Sequence, residues 1–180
     1  GQPDAMANMG QQLAGIGCEY LDATIAGSSS QVRTGDVVMM LGGAESAVQR
    51  CESLLTVLAK QWFHLGPWGS GARMKLVVNL VLGLNRAVLA EGLSFAKSIG
   101  VDSRQALEVL KAGPAFSRVM ETKGEKMLSR EFSPQARLAQ HHKDVKLILE
   151  EAARVSKSLP VSTLREALLA RLVAAGDGDL

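Results

Sequence analysis

Between Gly71 and Ile99 lies a stretch whose apolar residues nearly encircle an α-helix: Met74, Leu76, Val77, Val78, Leu80, Val81, Leu84, Val88, Leu89 and Leu93. A helix that is apolar on every side needs cover on every side, which predicts a buried central helix with other elements packed around it. Asn79, Asn85, Arg86 and Glu91 interrupt the stretch. A bilayer tolerates such groups poorly, so the reading is a protein-buried helix and no membrane span. With 180 residues, 47% of them hydrophobic and 21% charged, the chain has enough apolar surface for one domain or slightly more. A composition this apolar also excludes a disordered chain.

The pattern changes once along the chain, near residue 66. Residues 1–66 alternate between helical and strand-like segments, whereas residues 67–180 have helical spacing almost throughout. Pro3 to Gly17 reads as a helix, with Met6, Met9, Leu13 and Ile16 on one face. Glu19 to Ile25 reads as a short strand that runs into a loop at Gly27-Ser28-Ser29-Ser30. The continuous apolar run Val37 to Leu41 suits a strand covered on both faces, closed by Gly42-Gly43. A helix over Ala44 to Lys60 and a third strand over Trp62 to Leu65 follow. After the long helix, Gly100 breaks the pattern and Asp102 or Ser103 can cap a helix to about Leu110. Further helices are expected over about Phe116–Leu128, Pro134–Lys157 and Pro160–Ala175. Two or three strands cannot stand as a sheet unaided, so residues 1–66 look like the end of a larger α/β domain.

Charge and cysteine content narrow the function classes. The 20 Lys and Arg against 18 Asp and Glu leave a net charge of +2 with no block of like charge. That balance argues against nucleic-acid and anionic-membrane partners. The first residues carry no basic-then-apolar targeting pattern. Cys18 and Cys51 read as free thiols of a reducing compartment, the cytoplasm or an organelle equivalent such as the mitochondrial matrix.

Chemistry is concentrated where the long helix begins, at Gly66-Pro67-Trp68-Gly69-Ser70-Gly71-Ala72-Arg73-Met74-Lys75-Leu76-Val77-Val78-Asn79. Lys75 and Asn79 are four apart, so both project from one helix face. A lysine among Met74, Leu76, Val77 and Val78 would be partly desolvated, which lowers its pKa and suits it to pass a proton to a carbonyl or hydroxyl oxygen. The same spacing fits a lysine that snorkels to solvent and an asparagine packed on a neighbouring backbone. Spacing alone leaves both readings open.

This segment resembles the catalytic stretch of the β-hydroxyacid dehydrogenases, the group containing 3-hydroxyisobutyrate dehydrogenase and tartronate semialdehyde reductase. Other segments resemble the family in the same order. They are Leu21-Asp22-Ala23-Thr24-Ile25-Ala26-Gly27-Ser28, Gly35 to Gly43, Phe132-Ser133-Pro134, Lys143-Asp144, and Pro160 with Gly176-Asp177-Gly178-Asp179. The resemblance implies a mainly α fold: a helical bundle domain of the 6-phosphogluconate dehydrogenase C-terminal type over residues 67–180. Before it, residues 1–66 would be the C-terminal remnant of an NAD(P)-binding Rossmann sheet. It further implies an NAD- or NADP-dependent oxidoreductase that interconverts a small 3-hydroxy acid and its semialdehyde, with a homo-oligomeric assembly.

By the same resemblance Lys75 would be the general acid/base and Asn79 its assistant. Ala26, Gly27 and Ser28 would hold the substrate carboxylate, and Lys143 would approach the cofactor. The sequence departs from the family pattern at Thr24 (usually Pro), Ala26 (usually Ser) and Ser28 (usually Gly), which removes a hydroxyl donor at position 26. No Gly-x-Gly-x-x-Gly fingerprint occurs, so these 180 residues are expected to be the C-terminal portion of a longer enzyme and inactive alone. The alternative is a non-catalytic helical module of this family, kept for oligomerisation or partner binding.

Other candidates carry less. His141 and His142 are adjacent, point apart on a helix and are expected on a solvated face, so no metal site is predicted. His64 has no evident partner in the sequence. Trp62, Trp68 and the four Phe read as packing anchors, and Leu164, Leu168, Leu169 and Leu172 as core or subunit interface.

Overall fold

In the computed structural model, which describes residues 2–131, 133 and 137–179, the elements follow in the order α1 (Pro3–Gly15), β1 (Leu21–Ala26), α2 (Ser29–Arg33), β2 (Val38–Gly43), α3 (Glu45–Leu58), β3 (Gln61–His64), α4 (Ser70–Ser98), α5 (Ser103–Ala112), α6 (Arg118–Ser129), α7 (Leu138–Arg154) and α8 (Pro160–Ala174). A short 3-10 turn over Asp177–Asp179 comes last. The chain is mainly helical and falls into two units, residues 1–78 and 79–180, divided within α4. The predicted helix start at Pro134 and the Phe132-Ser133-Pro134 motif fall largely outside the described residues.

In the first unit β2 is the middle strand, antiparallel to β1 and parallel to β3. That central place explains why Val37 to Leu41 is apolar without alternation, since both faces are covered. A parallel neighbour needs a crossover, and α3 supplies it. Val37, Met39, Leu41, Val48, Leu55 and Ala59 form the core, with Leu21, Ile25 and Trp62 packed against it. In the second unit Leu89 and Leu93 of α4 pack with Leu107 of α5 and Val119 and Met120 of α6. Helix α7 buries Val145, Ile148 and Ala152, one stripe at helical spacing.

Several expectations are corrected. Residues 28–30 are not an open loop: Ser28 caps α2, and its hydroxyl and Gln31 satisfy each other's backbone N–H groups in a capping box. Nor is α4 a helix buried all round. Ala72, Leu89 and Leu93 are buried, but Val77 (50%), Val88 (66%) and Phe95 (63%) stand exposed. A helix of this length is about 44 Å long, and the elements within each unit cover only a stripe of it. Apolar periodicity states that cover is needed without saying which chain supplies it. By length and hydropathy alone α4 would also suffice to cross a membrane. The aromatic anchors divide similarly. Trp62 joins the core and the Trp68 indole N–H donates to the Tyr20 carbonyl at 2.9 Å, whereas Phe63, Phe95 and Phe116 are exposed. Leu164, Leu168 and Leu172 of α8 are exposed too, so they are not core.

What positions the start of α4 is a single carboxylate. Gly69 precedes the helix and Ala72 is its third residue, and neither has a side chain that could cap it. Asp22 of β1, 2% exposed, does so from across the fold: Oδ1 accepts from the Gly69 N–H and Oδ2 from the Ala72 N–H, each at 3.0 Å. Two orphan donors are thereby satisfied, and negative charge sits at the positive end of the helix. Period-two alternation puts Thr24 on the same face as Asp22. Its hydroxyl donates to the Gly71 carbonyl at 2.8 Å. A Cβ at Gly71 would strike the Met40 carbonyl oxygen, so only glycine lets helix and sheet come this close.

Asp22→Ala should therefore lower unfolding free energy by about 2–4 kcal/mol, because it leaves two buried N–H groups without acceptors. Asp22→Asn, which keeps one acceptor oxygen, should lose less. Urea unfolding midpoints check both, and a parental midpoint for the alanine variant would refute the anchoring role.

Candidate active site

The bonds that fix α4 on β1 also set the position of Lys75. One turn beyond Ala72, its ammonium donates to the Ile25 carbonyl at 2.7 Å. Ile25 is the penultimate residue of β1, and Ala26-Gly27-Ser28 follow directly. The structure thus brings Lys75 to the strand end that carries the three residues assigned to the substrate carboxylate. The lysine is partly buried, and the open choice left by spacing resolves toward an inward lysine on a backbone carbonyl.

Within the turn the groups differ in what they can offer. Ala26 has no hydroxyl. A Cβ at Gly27 would press on the Val37 side chain, so this position takes glycine for space. Ser28 is committed to α2: its N–H donates to Gln31 Oε1 at 2.9 Å, and its hydroxyl lies 2.8 Å from the Ser30 hydroxyl and 3.1 Å from Gln31 Oε1. The Thr24 hydroxyl, which stands where the family usually has proline, is spent on the Gly71 carbonyl.

In the second unit Asn79 donates from Nδ2 to Asp144 Oδ2 at 3.3 Å, and Gln140 donates to the other oxygen of the same carboxylate. Lys143, the residue before Asp144, is exposed on α7. That exposed cation is the residue the resemblance assigns to the cofactor. The glycine loop that would cradle the phosphates has no counterpart among these 180 residues.

Next to Asn79 lies a polar seam that the sequence reading missed. His141 and His142 do not face solvent. Arg86 Nη1 is 3.2 Å from His141 Nε2, and His142 Nε2 is 2.7 Å from Glu166 Oε1. An arginine can only donate, so the His141 Nε2 is the acceptor and its proton sits on Nδ1. Burial first, then the positive charges of Arg86 and Arg165, hold the His141 pKa below the usual histidine value. Burial likewise lowers Arg86, and burial with the neighbouring Arg86 lowers Arg165. The signal available in sequence was faint: Arg86 interrupts an apolar helix, and nothing there names its partner. His64, which looked isolated, has its Nε2 at 2.9 Å from the Gly43 carbonyl and 3.1 Å from that of Gly66, holding β2 to the turn after β3. In the sequence Asp22 is only part of a segment that resembles the family, and its capping role depends on a partner 47 residues away.

Two family models match the chain. Residues 69–180 match the family model described as NAD-binding of NADP-dependent 3-hydroxyisobutyrate dehydrogenase. Residues 2–66 match the one described as NAD binding domain of 6-phosphogluconate dehydrogenase. The 2-hydroxy-3-oxopropionate reductase of Escherichia coli (strain K12) is 32% identical over 170 residues, which are 94% of this chain and 58% of the reductase. The cytokine-like nuclear factor N-PAC of Aedes aegypti is 29% identical over 160 residues, 89% of this chain and 29% of that protein. A crystal structure of 3-hydroxyisobutyrate dehydrogenase from Salmonella typhimurium superposes with a TM-score of 0.89 at 20% identity, over 99% of this chain and 63% of that one, which shows a shared fold. The chain therefore spans somewhat more than half the length of the reductase.

The seam makes stability depend on pH. Because the folded state holds the His141 pKa below its ordinary value of 6.5, the unfolded chain takes up a proton that the folded chain refuses. This contribution is full above that value, is lost as pH falls from it toward the depressed folded pKa, and levels off below. Unfolding free energies measured between mildly basic and mildly acidic pH should fall on acidification, and less so in His141→Gln. An unchanged pH slope in the variant would overturn the assignment.

Proposed function

The chain belongs to the β-hydroxyacid dehydrogenase family, and from that membership we propose that it supplies the proton-transfer and substrate part of an NAD- or NADP-dependent oxidoreductase acting on a small 3-hydroxy acid and its semialdehyde. The observation that carries the reading is the Lys75 ammonium, held at 2.7 Å from the Ile25 carbonyl beside the Ala26-Gly27-Ser28 turn. A nicotinamide dinucleotide, when bound, supplies or takes the hydride. Lys75 hands its proton to the carbonyl oxygen of the semialdehyde as that oxygen gains charge, or takes it back from the hydroxyl in the other direction. The ammonium that a backbone carbonyl already orients needs little rearrangement to reach an oxygen placed beside it. Asn79, one turn further along the same helix, assists at that oxygen, and its bond to Asp144 fixes its amide.

The turn after β1 receives the substrate carboxylate through the backbone N–H groups around Gly27. For the Ser28 N–H this requires Gln31 to let go. Lys143, exposed on α7, is the cation that would help to hold the cofactor. In this reading residues 1–66 are the last part of a dinucleotide-binding domain and residues 67–180 the helical domain. The apolar side chains left exposed on α4 and α8 are the surface for a second copy of the chain. The reducing compartment expected from Cys18 and Cys51, both free, is the cytoplasm or an organelle matrix.

A second reading is favoured by one observation, the commitment of Ser28 to α2 in a turn that has already lost the hydroxyl at Ala26. It is a non-catalytic helical module, and the likeness to a nuclear factor shows that relatives are not all named as enzymes.

Kinetics of the whole protein separate the two. Lys75→Ala should lower kcat by about 10²–10⁴-fold, the usual worth of a general acid/base. Its cost in stability should be about 1 kcal/mol, the net value of one hydrogen bond. Undiminished turnover in the variant would sink the lysine assignment. A parental protein that binds no dinucleotide and turns over no hydroxy acid would favour the module.

A further inference from the structure

Two consecutive residues of β1 act on Lys75, one at each end of it. The Ile25 carbonyl accepts from its ammonium at 2.7 Å. At the other end, the Lys75 backbone N–H has the Gly71 carbonyl, four residues back, as its helical acceptor. That same carbonyl also takes the Thr24 hydroxyl, at 2.8 Å. The other oxygen near this hydroxyl, the Met40 carbonyl, is 3.5 Å away and too far to compete for its single proton. Thr24 is partly buried, and all of these residues belong to the first unit.

The two side chains that reach from β1 to α4 do different things there. Asp22 accepts from the N–H groups of Gly69 and Ala72, which fixes where the helix begins. A helix held only at its end can still rock about that end. Thr24 stands two positions further along the strand, about 7 Å away, and grips a carbonyl of the first turn. The pair together sets the angle at which the helix leaves the sheet. Lys75 feels that angle strongly, because its ammonium stands at the end of a four-carbon stem. A tilt of about 10° over a lever of about 8 Å moves the ammonium by about 1 Å, an error that can cost a catalytic step about 100-fold. Proline, which the family pattern has at this position, carries no hydroxyl, so the tie is particular to this chain.

We infer that Thr24 is a positioning residue for Lys75: its hydroxyl, through the Gly71 carbonyl, holds the first turn of α4 at the angle that keeps the ammonium beside the Ala26-Gly27-Ser28 turn. The inference rests on the proposed function and adds to it a residue that acts on the proton donor without touching substrate. A hydroxyl spent on a helix carbonyl has no proton left for a ligand, so Thr24 leaves substrate affinity alone. Its removal still leaves the Gly71 carbonyl with a helical donor and Asp22 with both of its own. The fold therefore persists while the aim of the lysine is lost.

The test uses the whole protein and reads the lysine directly as well as through turnover. Thr24→Val keeps the shape of the side chain and removes the hydroxyl, whereas Thr24→Ser keeps the hydroxyl and removes the methyl group. Pulses of acetic anhydride on the substrate-free protein, followed by peptide mass measurement, give the labelling rate of Lys75 relative to Lys97, which is exposed on the same helix. In Thr24→Val this ratio should rise at least ~3-fold, because an amine freed from its acceptor gives up its proton and reacts more readily. In Thr24→Ser it should stay close to the parent. Turnover should follow, with kcat about 10- to 100-fold lower in Thr24→Val at a nearly unchanged KM, and largely restored in Thr24→Ser. Thr24→Val should melt close to the parent, which separates a lost aim from a lost fold. Equal labelling of Lys75 in the parent and Thr24→Val would overturn the positioning role. So would a serine variant as impaired as the valine one, or a loss of kcat/KM carried wholly by KM. A parent that turns over no hydroxy acid would overturn the proposed function instead, and the labelling ratio would still decide whether Thr24 holds Lys75.

Discussion

The carboxylate of Asp22 is the constraint on which the first unit turns. Helix α4 is entered through Gly69-Ser70-Gly71-Ala72, a segment with small residues at the positions that must approach the sheet. Such a segment packs closely but cannot satisfy its own first N–H groups. Asp22 resolves that conflict from β1, two strand positions ahead of Thr24, which ties down the Gly71 carbonyl. Once those bonds are made, Lys75 has little freedom. It is one turn further on and meets the Ile25 carbonyl at the end of the same strand. The geometry of the proposed proton donor thus follows from the packing of glycines and the demands of a helix end, with no separate device needed to place it.

The helical unit solves a different problem, that of charged groups drawn into an apolar setting. Asn79, Arg86, His141, His142, Asp144, Arg165 and Glu166 come from α4, α7 and α8, and they satisfy one another only in part. His142 with Glu166 and Asn79 with Asp144 are closed pairs. Arg86 rests on His141 and Arg165 lies against Gly83, with the Asp144 carboxylate acting on Arg165 from α7.

Much of the fold was legible beforehand. The three strands, the helix α3, the breaks at Gly100 and before Pro160, and a cap at Asp102 or Ser103, which falls on Asp102, were all read within a few residues of where they lie. Each depends on local rules: apolar periodicity, glycine and proline as breakers, and a side chain that caps its own helix. The errors share a cause. Reading Ser28-Ser29-Ser30 as loop missed that serine is also the best of helix caps, a choice settled by Gln31 three residues on. Taking α4 as buried all round assumed that every apolar face finds cover within the chain. Placing His141 and His142 in solvent assumed that adjacent histidines on a helix lack partners, when α4 offers one and α8 the other.

Sequence by itself determined the alternation of elements, the start and length of the long helix, the family resemblance, and the presence of Lys75 and Asn79 one turn apart on it. These follow from interactions that reach only a few residues along the chain. Only the tertiary structure decided that Asp22 caps α4, that Lys75 points at the Ile25 carbonyl, that Ser28 is spent on α2, and that Arg165 lies across Gly83 beside Arg86. Each of those joins residues from different elements, and what fixes them is close packing and the need to satisfy buried polar groups, neither of which leaves a periodic mark in the chain.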